Sequence, residues 1–189
     1  ATALHHYRGL NSDFLFHYGD VGSRGVSRWL DLSSKFERAL TPLVGLLGLA
    51  GASLDARIAQ VSIGFEMLGY DLLIEAGASK TKAKDAAFVG QVGAVAEAVE
   101  GVLPFSASEF SDRLRRTYVS VKHADKARSD PLEMYLAYRQ SIQIFRSWVA
   151  LRLGVPKARL KTALERDPIT QHIHQISREL EQGRIPALR

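Results

Sequence analysis

The sequence contains no cysteine among its 189 residues. This absence excludes disulfide frameworks, thiolate metal sites, thiol redox chemistry and a cysteine nucleophile. The sequence also has no apolar run near the ~20 residues that span a bilayer, and no signal-peptide pattern at its beginning. Strands and helices do not alternate along it, so nothing favours a Rossmann or P-loop architecture. We therefore expect a cytoplasmic protein that does not enter a membrane.

The composition is that of one folded domain. Hydrophobic residues make up 46% of the chain and charged residues 24%, so a substantial core is available. The 25 Lys and Arg exceed the 20 Asp and Glu and give a net charge of +5, which is compatible with an anionic partner without requiring one. Because the first residue is Ala1 rather than Met, we expect a processed product or a piece of a longer protein.

Apolar residues recur at helical spacing through most of the chain. Pro42 predicts a kink or break in the first helix, while Ser106 and Asp130-Pro131 carry the signals of helix N-termini. The sequence therefore predicts an all-α bundle of four to five main helices. The predicted helices cover about residues 26–47, 53–76, 80–102, 106–124 and 131–153, with a polar helical stretch after them.

Three regions are predicted along the chain. Residues 1–23 form an N-terminal extended segment or linker, because Phe14 to Tyr18 read as a short extended stretch before a Gly-Asp turn. Residues 24–156 form the helical domain, and residues 157–189 form a C-terminal helical extension.

The helix predicted at about 106–124 carries an unusual set of charged residues near its end. On a wheel of ~100° per residue with Phe110 at zero, Arg116 falls near ~240° and His123 near ~220°. The two side chains are therefore expected on one face, and Val119 shares it, which suits a surface that meets another helix. The opposite face is predicted to meet the core through Phe110, Leu114, Thr117 and Val121.

An imidazole and a guanidinium on one helix face suit phosphodiester cleavage. The imidazole moves protons near neutral pH, and the guanidinium holds a phosphate through two hydrogen bonds. The sequence has no acidic cluster suited to a metal ion, so we predict neither a metal nor another cofactor. The alternative interpretation is a solvated basic face, which is the usual state of such residues.

The string from Arg116 to Asp125, Arg-Thr-Tyr-Val-Ser-Val-Lys-His-Ala-Asp, resembles the Arg-x(4–6)-His motif of HEPN domains. Its context is most similar to the ApeA-like branch of that family. The segment from Phe14 through Arg28-Trp29-Leu30 to Pro42 is similar to the entry of that branch's helical domain. Phe145-Arg-Ser-Trp and the following Arg-Leu-Gly-Val are similar to its closing helix. The resemblance covers about residues 12–156.

The resemblance implies a homodimer in which two copies of the motif face each other, with Val119 in the interface. HEPN proteins of this type are metal-independent ribonucleases of toxin, phage-defence and other RNA-processing systems, and their cleavage leaves a 2′,3′-cyclic phosphate. By this resemblance His123 is the general base or acid on the ribose 2′-hydroxyl or the leaving oxygen, and Arg116 orients the scissile phosphate. It also implies a β-rich domain before the helical one in the full-length protein.

Five further residues are candidates for supporting roles. Arg113, Ser120 and Lys122 are predicted to contact RNA phosphates, with plain solvation as the alternative. Glu66 and Asp71 lie in an otherwise apolar helix, where an acid is costly unless it is paired. One of these two acids is a candidate to brace the arginine of the motif, with exposure as the alternative.

The sequence departs from the family pattern directly after the arginine. Many active HEPN members carry Asn, Asp or His at that position, where this chain has Thr117, and the six-residue spacer is at the long end of the range. Two other functions are therefore considered. One is a non-catalytic HEPN dimerisation or sensor module of a larger protein, and the other is a nucleotide-binding helical partner of a nucleotidyltransferase.

Overall fold

A computed structural model describes residues 15–46 and 51–183. Within those ranges the chain forms nine α-helices and one 3₁₀ turn at Glu100–Val102, and no strand. The all-α prediction is therefore confirmed. The helices are α1 (Tyr18–Lys35), α2 (Glu37–Gly45), α3 (Leu54–Glu75), α4 (Lys80–Asp85), α5 (Ala87–Glu97), α6 (Ala107–Lys122), α7 (Pro131–Leu153), α8 (Lys157–Arg166) and α9 (Pro168–Glu181).

Helix α3 lies at the centre of the bundle. It packs against α2, α5, α6 and α7, and its predicted core residues Ile58, Val61, Phe65 and Leu68 are completely buried. Ser53 begins the helix by accepting a hydrogen bond from the Ala56 amide at 3.2 Å. Burial of this apolar stripe from several sides fixes the positions of α6 and α7, which carry the candidate site.

The N-terminal part of the chain is more helical than the sequence predicted. Residues 1–14 of the predicted extended segment lie outside the described residues, but α1 already begins at Tyr18, six positions before the predicted domain start. The His17 amide donates to the Asp20 carboxylate at 2.8 Å and so caps this early turn. Gly22, with φ 57° and ψ −161°, then interrupts the helix.

The predicted first helix is divided at Phe36 and not at Pro42. Phe36 has the non-helical angles φ −112° and ψ 24°, and its buried ring meets the Trp148 ring edge-on with centroids 5.3 Å apart. Pro42 lies inside α2. The break thus lies at a residue whose ring is buried by tertiary packing, and a local proline rule does not anticipate it.

The predicted helix over residues 80–102 is also divided, between Asp85 and Ala87. Ala87, the first residue of α5, has φ +54°, a left-handed value that is costly for an L-residue. The Gln91 side-chain amide donates to the Ala83 carbonyl at 3.0 Å and spans the break. At the same level, a Cβ atom on Gly69 would lie 1.9 Å from the Gln91 carbonyl oxygen, so glycine is required for the close approach of α3 and α5.

The predicted C-terminal helical extension consists of α8 and α9. Asp167 caps α9 by accepting from the Thr170 amide at 3.0 Å, and Pro168 occupies the first position of the helix, as the Asp-Pro pair predicts. Ile173 and Ile176 of α9 are buried against Leu132 and Leu136 of α7. The extension is therefore packed onto the bundle.

Candidate functional site

Helix α6 presents two different faces. Ser106 caps it by accepting from the Glu109 amide at 3.4 Å. Of the predicted core face, Phe110, Leu114 and Thr117 are completely buried, while Val121 is partly buried against the core. The opposite face carries the arginine of the motif, and one edge of α6 lies along α7. The short loop between α6 and α7 makes them antiparallel neighbours, so the end of α6 meets the beginning of α7.

Arg116 lies on the solvent side of this seam between α6 and α7. Its side chain is 48% exposed, and its Nη2 atom lies 3.5 Å from Oε1 of Glu133 on α7. This separation is longer than the 2.7–2.9 Å typical of a charge-assisted hydrogen bond. Arg116 is therefore held loosely, and its guanidinium is accessible to an anion from solvent.

His123 follows the last residue of α6. The helix predicted to reach Ala124 ends at Lys122, two residues earlier. His123 has an extended backbone at φ −118° and ψ 109°, so helical spacing does not place its side chain beside Arg116. Its amide donates to the Val119 carbonyl at 3.0 Å, and its own carbonyl accepts from the Lys126 amide at 3.1 Å. The backbone is thus fixed on both sides while the side chain is exposed. Six residues separate His123 from Arg116, and the helical part of that span, from Arg116 to Lys122, rises about 9 Å along the axis.

Arg113 is further inside the same seam. Its Nη1 atom donates to Oε1 of Gln140 at 2.9 Å, and its Nε atom is buried without a hydrogen-bond partner. Burial lowers the pKa of Arg113, and the Glu133 carboxylate opposes that shift. Arg113 therefore has a protein partner already and is less accessible to RNA than the sequence suggested.

The other three predicted residues of α6 differ in how accessible they are to a bound RNA or to a second copy of the chain. The Ser120 hydroxyl donates to the Thr117 carbonyl at 2.8 Å, so its proton is used within the helix. Lys122 is exposed, with its Nζ atom 5.6 Å from the centre of the Tyr118 ring. Val119 is half-buried within its own protomer, which leaves part of its surface for a neighbouring molecule. Of the three, Lys122 presents an exposed charge.

Glu66 and Asp71 line a cleft of about 360 Å³ together with Arg38, Tyr70 and Lys84. Glu66 is exposed and Asp71 is half-buried. Burial raises the pKa of Asp71, while the charge of Arg38, followed by that of Lys35, opposes the shift. The structure therefore groups the two acids with cations of α2 and α4, and the carboxylate that contacts Arg116 is a different one, Glu133.

Glu133 is the residue of this site that the sequence analysis missed. It occupies the third position of α7, where it reads as an ordinary acid of a helix N-terminus. The available signal was topological, since the short connection after His123 brings the start of α7 beside the end of α6. An acid there faces the basic end of the preceding helix.

Comparison with known proteins does not identify a family. No protein-family model matches the chain, and the searches of curated proteins and of solved structures give no match. Among residues 15–46 and 51–183, none of the helices combines the length and apolar character needed to cross a bilayer. The same residues contain no group of three or more His, Cys, Asp or Glu side chains placed to hold a metal ion.

Proposed function

We propose that the chain is a HEPN-type, metal-independent endoribonuclease domain that acts as a homodimer in a toxin or anti-phage system of the cytoplasm. The observation that carries this proposal is the state of the motif residues at the end of α6. Arg116 is half-exposed with one long ion pair, and His123 is exposed on a backbone fixed from both sides. Neither side chain is buried in the core of its own protomer.

The proposed reaction is an internal transesterification of RNA. One His123 imidazole takes the proton from a ribose 2′-hydroxyl as its oxygen attacks the adjacent phosphorus. The bond from phosphorus to the 5′ oxygen breaks, and the imidazolium of the second copy gives that oxygen a proton. The products are a 2′,3′-cyclic phosphate and a 5′-hydroxyl. Arg116 orients the phosphate and stabilises the charge that develops on its oxygens.

A second copy of the chain supplies the second imidazole in this scheme. Val119 lies between Arg116 and His123 in sequence and is only partly covered within the protomer. An apolar side chain between the two reactive residues suits an interface that brings two motifs together. The charged residues around it, including Lys122, then border a groove that an RNA backbone can follow.

One observation favours a second function, the non-catalytic dimerisation or sensor module. Thr117 is completely buried, and its hydroxyl donates to the carbonyls of Arg113 at 3.1 Å and Leu114 at 3.0 Å. The residue after Arg116 thus provides no polar group to the site. In this alternative the chain forms the same dimer and binds a partner without cleaving RNA.

The test is degradation of single-stranded RNA in the presence of EDTA. Cleavage by the parent protein should survive chelation, and His123→Ala and Arg116→Ala should each lower its rate at least ~100-fold. The matched controls are His174→Ala and Arg115→Ala, which remove an exposed histidine of α9 and an exposed arginine of α6 outside the motif. A stable dimer that cleaves no RNA would instead support the non-catalytic module.

A further inference from the structure

Glu133 lies beside both arginines of α6 that face α7. Its Oε1 atom is 3.5 Å from Arg116 Nη2, and its charge is the leading one that counters the effect of burial on Arg113. We infer that Glu133 is a positioning residue of the site, which holds Arg116 in the free protein and yields it to an RNA phosphate. This inference rests on the proposed ribonuclease function.

The two arginines are held to different degrees. Arg113 is half-buried and donates to Gln140 at 2.9 Å, so its position is fixed by a neutral partner on α7. Arg116 has a half-exposed side chain and a longer contact with Glu133. Asp112, four residues before Arg116 on the same helix, pairs with Arg115 at 3.9 Å. Arg116 is therefore the arginine that can exchange a protein carboxylate for a phosphate.

The backbone of Glu133 is fixed by the start of α7. Its amide donates to the Asp130 side chain at 3.3 Å, and Pro131 occupies the first position of the helix. A carboxylate in the first turn is further stabilised by the helix dipole. The backbone of Glu133 thus remains in place when Arg116 moves, and its carboxylate can receive Arg116 again after the product leaves.

The charge of Glu133 should affect how strongly the two arginines bind RNA. Two arginines and one glutamate leave the seam with one net positive charge, and removal of the glutamate charge leaves two. RNA binding releases counterions in proportion to the cations that meet phosphates, at about 0.7 per contact for single strands. Replacement of Glu133 by an uncharged isostere should therefore strengthen RNA binding at low salt and make it more sensitive to salt.

The experiment compares Glu133→Gln with its parent in a His123→Ala background, which keeps the RNA intact. Binding of a fluorescein-labelled single-stranded RNA of mixed sequence is followed by fluorescence anisotropy over about a tenfold range of salt. The Glu133→Gln protein should bind more tightly at low salt, with a slope of log affinity against log salt steeper by about 0.7. The ratio of the two affinities should then change about fivefold across the range.

Glu109→Gln is the matched control. Glu109 occupies the third position of α6, as Glu133 does in α7, and the substitution changes the net charge by the same amount. Glu109 lies at the other end of α6 from His123, and its charge opposes the pKa shift of Arg113 less than that of Glu133 does, so its variant should change the slope less than Glu133→Gln. Circular dichroism of all variants verifies that they are equally helical.

Glu133→Asp separates the charge of this residue from its position. The shorter carboxylate holds Arg116 less well, so kcat should fall in the protein with His123 intact, while the salt slope measured in the His123→Ala background should be unchanged. Equal affinity and equal slope for Glu133→Gln and its parent would overturn the inference and leave the ribonuclease proposal standing. Absence of RNA binding by all of the proteins would overturn both.

Discussion

Helix α7 carries an arginine–carboxylate cluster on each of two sides, and the two clusters differ in burial and in bond length. Toward α9, Arg146 donates to Asp167 at 2.9 and 3.3 Å, with 20% and 3% of the two side chains exposed. Toward α6, Arg116 and Glu133 are 3.5 Å apart, with 48% and 34% exposed. We call Arg146–Asp167, which is mostly buried, the closed cluster, and Arg116–Glu133, which is partly exposed, the open cluster.

The closed cluster also has a complete set of neutral partners. Gln143 accepts from Arg146 at 3.2 Å and donates to the Thr170 hydroxyl at 3.1 Å, while Asp167 caps α9. A buried charge pair with such partners is expensive to break because one charge would be left unpaired. The comparison indicates that the closed cluster attaches the C-terminal helices, whereas the open cluster is available to a ligand.

The largest expected effect is that of Asp167→Ala on stability. Loss of the carboxylate removes this counter-charge from the largely buried Arg146 and removes the cap of α9, so the free energy of unfolding should fall by about 3–5 kcal/mol. Asp130→Ala is the matched control, because Asp130 also caps a helix before a proline but, within the part of the chain that the structure describes, forms no ion pair with an arginine. It should cost about 1 kcal/mol in urea denaturation. Equal losses for the two variants would contradict a special role for the closed cluster.

Next in size is the effect of Val119→Asp on the dimer. If a second copy covers the open side of α6, a carboxylate at Val119 becomes buried without a partner, and the dissociation constant should rise at least about tenfold. Sedimentation velocity measures this change. Val26→Asp, at an apolar residue of α1 that is 49% exposed, is the control and should leave the dimer intact. An unchanged dimer in Val119→Asp would place the interface elsewhere.

A third cluster on α7 has intermediate exposure and provides a pH test. Arg152 donates to Glu75 at 2.8 and 2.9 Å, and Lys35 also contacts this carboxylate. The hydrogen bonds from Arg152, followed by that from Lys35, outweigh the opposing effect of burial and lower the pKa of Glu75 from 4.5 to about 2.

Because the pKa of Glu75 is lower in the folded protein, its ion pairs stabilise the fold more at higher pH. Between the two pKa values the unfolded chain binds the proton and the folded protein does not, so the stabilisation is complete above pH 4.5 and is lost as the pH falls toward 2. With solvent screening it should amount to about 1 kcal/mol. In thermal denaturation, the difference in stability between the parent and Glu75→Gln should become smaller as the pH falls from 4.5 toward 2. A constant difference would exclude the ion pairs as its source.

The smallest effect is expected at the open cluster itself. In a double-mutant cycle of Arg116→Ala and Glu133→Ala, the coupling energy should be below about 1 kcal/mol, because both groups are partly exposed. Urea denaturation of the four proteins measures it. A coupling near that of a buried pair would mean that Arg116 is committed to Glu133 and is not available to a ligand.

The parts of the fold that could be predicted are those specified by local signals. Ser106, Asp130 and Asp167 begin helices as their capping chemistry requires, and Gly154 ends α7 in the left-handed conformation. The breaks at Phe36 and before Ala87 could not be predicted, because no local signal marks them: Phe36 packs on the distant Trp148, and Ala87 has a left-handed backbone that alanine rarely adopts.

The same distinction applies to the candidate site. The exposure of Arg116 and the burial of Leu114 follow from helical periodicity within α6. The departure of His123 from the helix and the contact with Glu133 depend on the loop to α7 and on the packing of two helices. Glu66 and Asp71 had suitable chemistry to brace an arginine, but α3 directs them to another cleft.

The most direct test of the central claim is the chemistry of the cleaved bond. A single-stranded RNA is incubated with the protein in EDTA, alongside the same RNA with one 2′-deoxy sugar at the cleaved position, and the ends are analysed by mass spectrometry. The account predicts a 2′,3′-cyclic phosphate at the cleaved position of the all-ribose strand and no cleavage there in the deoxy strand. Cleavage of the deoxy strand at that position, or equal cleavage of the all-ribose strand by His123→Ala, would contradict it.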